Sequence, residues 1–233
     1  MSALLDLRLV ALAGAGSLLS LDRRAAVQAM LAHPVVAAAL AGWALGDLSV
    51  GLLVGVLLGL LWSGALPVGG VVPPDETLGA VVGVGVAVLG ARAVGAPVLP
   101  SAMCGFLVGA PAALLGRRLE LVLRRYNGVL ASRVEKAVAA GDTGAVERAT
   151  VQALMVAVAG AFFVHLLVLF PGVAAVQWLL QRWPGATNLL AMAAFPVPLA
   201  GLGAVVTGAG FRVGLAWATL GFGIGLLVDG LGR

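Results

Sequence analysis

From Leu48 to Leu66 the chain carries no charged side chain, and Gly51, Gly55, Gly59 and Ser63 recur every four residues through it. On a helix these positions form one stripe of small residues, along which a second helix packs backbone to backbone. The run leads into Pro67-Val-Gly69-Gly70-Val-Val-Pro73-Pro74-Asp75-Glu76. Proline lacks an amide donor and pushes the residue before it out of the helical region, so this stretch cannot be regular helix. It is still mostly apolar, and long hydrophobic runs flank it. Broken backbone at membrane depth is tolerated only where protein or a water-filled cavity surrounds it. In transporters such breaks point to the binding site. A packed helix leading into a broken, acid-bearing segment therefore reads as a substrate site.

That reading requires a membrane, and the composition supplies one. Hydrophobic residues make up 61% of the 233, and the mean hydropathy is +1.11. The chain reads as an all-α integral membrane protein. At about 20 residues per span there is room for roughly seven or eight hydrophobic segments, some of them broken or re-entrant. Only 10% of residues are charged, and the net charge of +4 reflects membrane topology rather than nucleic-acid binding.

Several chemistries drop out. The single cysteine, Cys104, lies in an apolar run, so there is no disulfide framework. His33 and His165 are far apart in sequence and lack clustered cysteines or carboxylates, so neither a metal site nor a cofactor is expected. The lone lysine, Lys136, follows Glu135 rather than glycine, which excludes a Walker A loop. Serine, histidine and aspartate are too scattered to suggest a triad.

Taken in order, residues 3–21 form a first segment with Asp6 and Arg8 inside it. Its start is not basic, so it is expected to be retained rather than cleaved as a signal peptide, although Ala13-Gly-Ala15 resembles a cleavage site. Asp22-Arg23-Arg24 marks a loop. Ala25–Gly46 is the second segment, with Pro34 near its start, and Gly46-Asp47 breaks the next run. Leu48–Leu66 is the glycine-striped third segment. Leu78–Ala96 and Val98–Gly116 are the fourth and fifth, with Arg92 placed to snorkel to the headgroups.

Residues 117–150 differ in character. They hold eleven of the 24 charged residues, including seven of the 14 basic ones. Leu119, Val122, Leu123, Val129, Leu130 and Val134 fall near helical spacing, so this is an amphipathic helical arm, broken or capped near Gly141-Asp142. The excess of basic residues places it in the cytoplasm. A sixth segment over 151–181 is long enough to bend at Pro171. A seventh runs over 186–206, interrupted by Pro196 and Pro198. An eighth runs over 213–231, with Gly221 and Gly225 spaced by four. The expected organisation is a membrane region 1–116, a cytoplasmic arm 117–150 and a second membrane region 151–233.

These residues also carry a resemblance. Leu21-Asp22, Gln28, His33-Pro34-Val35, Leu40-Ala-Gly42, Gly46-Asp47, Gly51, Gly55, Pro67-Val-Gly69 and Pro73-Pro74-Asp75 follow one another at distinctive spacings. The basic arm adds Arg125, Asn127 and Gly141-Asp142. The chain resembles the IIC membrane subunit of the mannose/fructose/sorbose class of the bacterial sugar phosphotransferase system. The similarity covers nearly the whole chain and is most specific over residues 21–80. It implies a sugar-translocating subunit in the bacterial inner membrane. The implied partners are a IID membrane subunit and the IIA and IIB phosphocarriers, in a trimer of IIC–IID units. The chain departs from the family in carrying Gly59 where a glutamate is usual, Pro67 where some members have asparagine, and His33 where arginine is usual.

Four residues are candidates for the solute site. The Asp75 carboxylate can accept sugar hydroxyls, or it can cap the helix that begins near Thr77 and face water. Asp47 can contact solute or cap the helix after Gly46. Gln28 can bond a sugar or cross-link two helices. Asn188, in Ala186-Thr-Asn-Leu-Leu190, resembles a family asparagine and can also cap. His33 reads as a loop residue and His165 as a satisfied intramembrane histidine, with a proton relay as the alternative. The arginines of the arm can dock IIB or simply form a solvated face. The expected function is a sugar-specific IIC permease that carries no phosphoryl group of its own. The alternatives are a IIC-like component that has lost transport and serves regulation or assembly, and an unrelated small-solute permease subunit.

Overall fold

The computed structural model describes residues 3–25, 28–62, 72–194 and 196. Helix α1 spans Ala3–Leu19, α2 Pro34–Leu45, α3 Leu48–Trp62, α4 Glu76–Gly85, α5 Val98–Ala139, α6 Ala145–Arg182 and α7 Ala186–Ala193. A π-helical turn, Val86–Ala91, and a 3-10 turn, Arg92–Val94, extend α4. There is no strand among the described residues. Three stretches among them are long and apolar enough to cross a membrane: Glu76–Val94, Val98–Ala139 and Ala145–Arg182. At 12 and 15 residues, α2 and α3 are shorter than the roughly 20 residues that a straight crossing requires. The segment expected over 213–231 and most of the one over 186–206 lie outside the described residues.

Of the expected second segment, Ala25–Gly46, residues 28–33 are not helical and the helix begins at Pro34. The Asp22 carboxylate accepts from the amides of Ala29 (2.8 Å) and Ala32 (3.1 Å). Those bonds hold the preceding residues in a loop in which Gln28 and Met30 adopt positive φ, at 54° and 62°. His33 then takes extended backbone, its Nδ1 accepts from the Val35 amide, and Pro34 supplies a preset φ at the first helical position.

Helices α2 and α3 pack against each other through the glycine stripe. A Cβ at Gly51 would lie 2.5 Å from the Ala38 carbonyl oxygen, and one at Gly55 would lie 2.8 Å from Val35 Cα. Both contacts are with backbone, which cannot give way. Gly59 differs: its nearest neighbours, side-chain atoms of Val35 and Pro34, would be 3.5 and 3.7 Å away, so a Cβ fits. Ser63 lies outside the described residues.

A second glycine seam, between α4 and α5, was not anticipated. A Cβ at Gly79 would meet the Gly109 carbonyl oxygen at 2.8 Å, and one at Gly83 would meet that of Gly105 at 2.9 Å. Each helix carries its pair at a spacing of four, which is the signal the sequence offered.

The span Glu76–Val94 is the centre of the bundle, with 78% of its most apolar stretch buried, against 17% for α6. The core around it includes Leu9, Val54, Val81, Val84, Met103 and Leu169. Helix α6 lies outside and exposes Met155, Phe163, Leu167 and Trp178. The π turn has a partner on α6: Gln177 Nε2 donates to the Leu89 carbonyl at 2.9 Å. Helix α5 runs unbroken across 116/117, and α6 across 150/151 and through Pro171. A tight turn joins them, with Gly141 at φ 92° and the Asp142 amide donating to the Ala137 carbonyl.

Candidate functional site

The start of α4 is held from four sides. Asp75 caps the helix, its Oδ1 accepting from the Leu78 amide at 3.1 Å. Its own amide donates to the Ala113 carbonyl on α5, at 2.9 Å. Arg23, in the turn after α1, donates from Nη1 to the Pro74 carbonyl at 2.9 Å. Thr77 Oγ1 donates to the Ala32 carbonyl at 2.9 Å, which ties the Gln28–His33 loop to the same end of α4. The Pro74 carbonyl, just ahead of the helix, accepts from the Glu76 amide at 3.1 Å as well as from Arg23.

Charge is concentrated here. Asp75 is 3% exposed. Arg24 Nη2 donates to Asp75 Oδ2 at 2.6 Å, while its Nε donates to Glu120 Oε2 at 2.7 Å and its Nη1 to Ser20 Oγ at 3.3 Å. Glu120 Oε1 in turn accepts from Arg124 Nε at 3.1 Å. Arg23 Nη2 approaches Asp75 Oδ1 at 4.0 Å. Asp75 backs directly onto Gly116, where any Cβ would strike its side chain. The Arg24 guanidinium balances the charge of the buried Asp75 carboxylate in place.

Nearby, burial raises the pKa of the Asp22 carboxyl, but the amides of Ala29, Ala32 and Leu31 outweigh it and hold the group below its ordinary value.

The four sequence candidates do not converge on one point. Gln28 is exposed, on the loop that Thr77 ties to the Asp75 end. Asp47 lies at the other end of the span. Its Oδ1 accepts from the Val50 amide, capping α3, and its Oδ2 accepts from Arg92 Nε at 2.9 Å. Arg92 also donates from Nη1 to the Ala96 carbonyl, so the expected snorkelling residue is an ion-pair partner. Asp75 and Arg92 are 17 residues apart along the span Glu76–Val94 and its cap, which separates the two ends by about 25 Å. Asn188 belongs with the Arg92 end. Gly160 on α6 lies against Leu119 and Gln177 against Leu89, so α6 climbs away from Asp75 before α7 begins. Asn188 is exposed, and its amide donates to the Gly185 carbonyl in the first turn of α7. Among the described residues no hydrogen bond or ion pair joins Asp75 to Asp47, Gln28 or Asn188.

Arg23, Arg24 and Glu120 were legible only as loop and arm charges. His165 is also buried, 1% exposed, and its Nδ1 lies 2.8 Å from the Ala161 carbonyl while its Nε2 has no partner. The ring packs against Gly16 and leaves no room there for a Cβ. No group of three or more histidine, cysteine or acidic residues that could hold a metal occurs among the described residues.

Three comparisons with known proteins bear on this arrangement. A curated relative, the putative N-acetylgalactosamine permease IIC component 2 of Escherichia coli (strain K12), is 43% identical over 56 residues. That match spans 24% of this chain and 42% of the relative. Among solved structures, one described as a membrane protein superposes with a TM-score of 0.65 at 22% identity, covering 93% of this chain and 85% of that one. The mannose transporter ManYZ in complex with Microcin E492 (MceA) superposes with a TM-score of 0.58 at 22% identity, covering 99% and 94%. At that identity the two structures show the fold. The family described as the PTS system sorbose-specific iic component matches residues 4–228, and this membrane protein belongs to it.

Proposed function

We propose that this chain is the sugar-translocating IIC subunit of a mannose-type, phosphoenolpyruvate-dependent phosphotransferase system. Solute passes through this subunit, and a partner IIB phosphorylates it. The observation that carries the reading is the buried Asp75 carboxylate at the head of the central span, directly after helix-breaking prolines, in a chain of this family. Asp75 accepts sugar hydroxyls there, and Gln28 borders the same end. Asp47 and Asn188 act at the far end of the span.

The partners are a IID membrane subunit and the IIA and IIB phosphocarriers, in a trimer of IIC–IID units in the bacterial inner membrane. Residues 117–150 form a cytoplasmic arm between membrane regions 1–116 and 151–233. Seven basic residues in the arm support that side. The subunit itself carries no phosphoryl group: His165 and Cys104 are buried, and the exposed His33 uses its Nδ1 to cap α2.

A second reading, a IIC-like component without transport, draws on Gly59. The usual glutamate is missing there, although the packing leaves room for a side chain to begin. Phosphoenolpyruvate-dependent uptake of hexoses and N-acetylhexosamines by vesicles holding this chain and IID, supplied with IIA, IIB and the general phosphocarriers that pass the phosphoryl group from phosphoenolpyruvate to IIA, separates the two. Accumulation of a phosphorylated sugar supports the permease. No uptake by an assembled complex supports the second reading.

A further inference from the structure

Beside the Asp75 cluster, where the turn after α1 meets α5 and α6, lies a cavity of about 560 Å³. Its polar lining is Arg23, Arg24, Glu120, Arg124, Asn127 and Thr150, and Leu123 and Leu154 form part of an apolar wall. That volume falls within the range of about 300–1,000 Å³ typical of small-molecule sites.

The charges of the lining do not cancel. Three arginines face one glutamate, and counting Asp75 behind the wall still leaves a positive excess. The donors divide by use. All three nitrogens of Arg24 are committed, to Asp75, Glu120 and Ser20. Arg124 commits only Nε, to Glu120, and is 57% exposed. Arg23 commits Nη1 to Pro74, and its Nη2, 4.0 Å from Asp75, is beyond hydrogen-bond reach. Two guanidinium groups on separate elements thus keep free donors at one cavity, and Asn127 stands one turn beyond Arg124. Guanidinium forks match phosphate oxygens in geometry, and the negative charge of a phosphate monoester is opposite in sign to the excess.

From this we infer that the cavity binds a phosphate monoester, through Arg23 and Arg124, with its organic part on the apolar wall. This anion site is separate from the hydroxyl site at Asp75. The ester has two possible sources: a soluble sugar phosphate, or a lipid headgroup such as phosphatidic acid.

The test is binding to the purified full chain in phosphatidylcholine nanodiscs. Glucose 6-phosphate and glucose are titrated calorimetrically, and thermal stability is compared with and without phosphatidic acid in the disc. The expected result is saturable binding of glucose 6-phosphate; Arg124→Gln leaves any binding of glucose unchanged and weakens that of glucose 6-phosphate about tenfold or more, since each charged hydrogen bond lost carries at least that factor. Asn127→Asp, which adds a charge at an exposed position, weakens it as well. If only phosphatidic acid stabilises the protein, and both variants abolish the effect, the same chemistry serves a lipid headgroup. Absence of both effects, or effects unchanged in both variants, overturns the inference.

Discussion

Arg24 and Asp75 are 51 residues apart in sequence and 2.6 Å apart in space. Through Glu120 the same guanidinium reaches α5, so one side chain binds the turn after α1, the head of α4 and the middle of α5. The Asp75 side chain is 4% exposed and that of Arg24 11%. Removing one partner of so buried a pair strands the other charge, at about 3–5 kcal/mol. Arg24→Gln is therefore expected to lower the thermal unfolding midpoint far more than Arg124→Gln, whose pairing with Glu120 is largely exposed. Equal midpoints for the two variants would refute the structural role given to Arg24.

The glycines of α3 are not equivalent. Gly55→Ala drives a methyl into the backbone of α2 and is expected to cost about 1–3 kcal/mol through overpacking. Gly59→Ala meets ordinary contacts and is expected to be neutral or stabilising, by up to about 1 kcal/mol from helix propensity. Thermal unfolding of the two variants in the same detergent decides this, and the reverse order contradicts the packing described.

Asp22 gives a pH dependence with a definite sign. Its carboxyl is held below the ordinary value in the folded state, so it contributes stability above that value. The contribution is lost as pH falls through the lowered native value. The stability gap between wild type and Asp22→Asn should therefore narrow between about pH 7 and about pH 3. A gap that widens on acidification would reverse the assignment.

The arm has a testable side. Ser132 is exposed on the second half of α5, among the basic residues. A cysteine placed there should resist a membrane-impermeant thiol reagent added outside intact cells, while the buried Cys104 gives no background. Ready labelling from outside would put the arm on the other face.

What the sequence allowed, and what it withheld, follows from the range of each interaction. The membrane class, the turn at Gly46-Asp47 and the break before Asp75 are local and rest on hydropathy, glycine and proline. The role of Gly51 and Gly55 was legible because a four-residue spacing defines a helix face. The same spacing marks Gly79–Gly83 and Gly105–Gly109, but which helices they join depends on the fold. The pairings of Asp75 with Arg24 and of Asp47 with Arg92 cross 51 and 45 residues, and no local pattern encodes them. The loop before Pro34 was read as part of one hydrophobic segment because nothing nearby shows that Asp22 captures the amides of Ala29 and Ala32. The side chain that meets the π turn, Gln177, is 88 residues from Leu89.

The central claim is that Asp75 sits at the solute site of a sugar permease. Asp75→Asn keeps a side-chain oxygen for the Leu78 amide and removes the charge. The decisive measurement is sugar binding by the wild-type and Asp75→Asn complexes with IID, each first shown to be assembled. Loss of the charge should weaken binding about tenfold or more, because a hydroxyl bond to a carboxylate contributes about 1.5–3 kcal/mol. An active wild type matched by an equally active Asp75→Asn complex would contradict the claim and leave Asp75 as a helix cap and ion-pair partner alone.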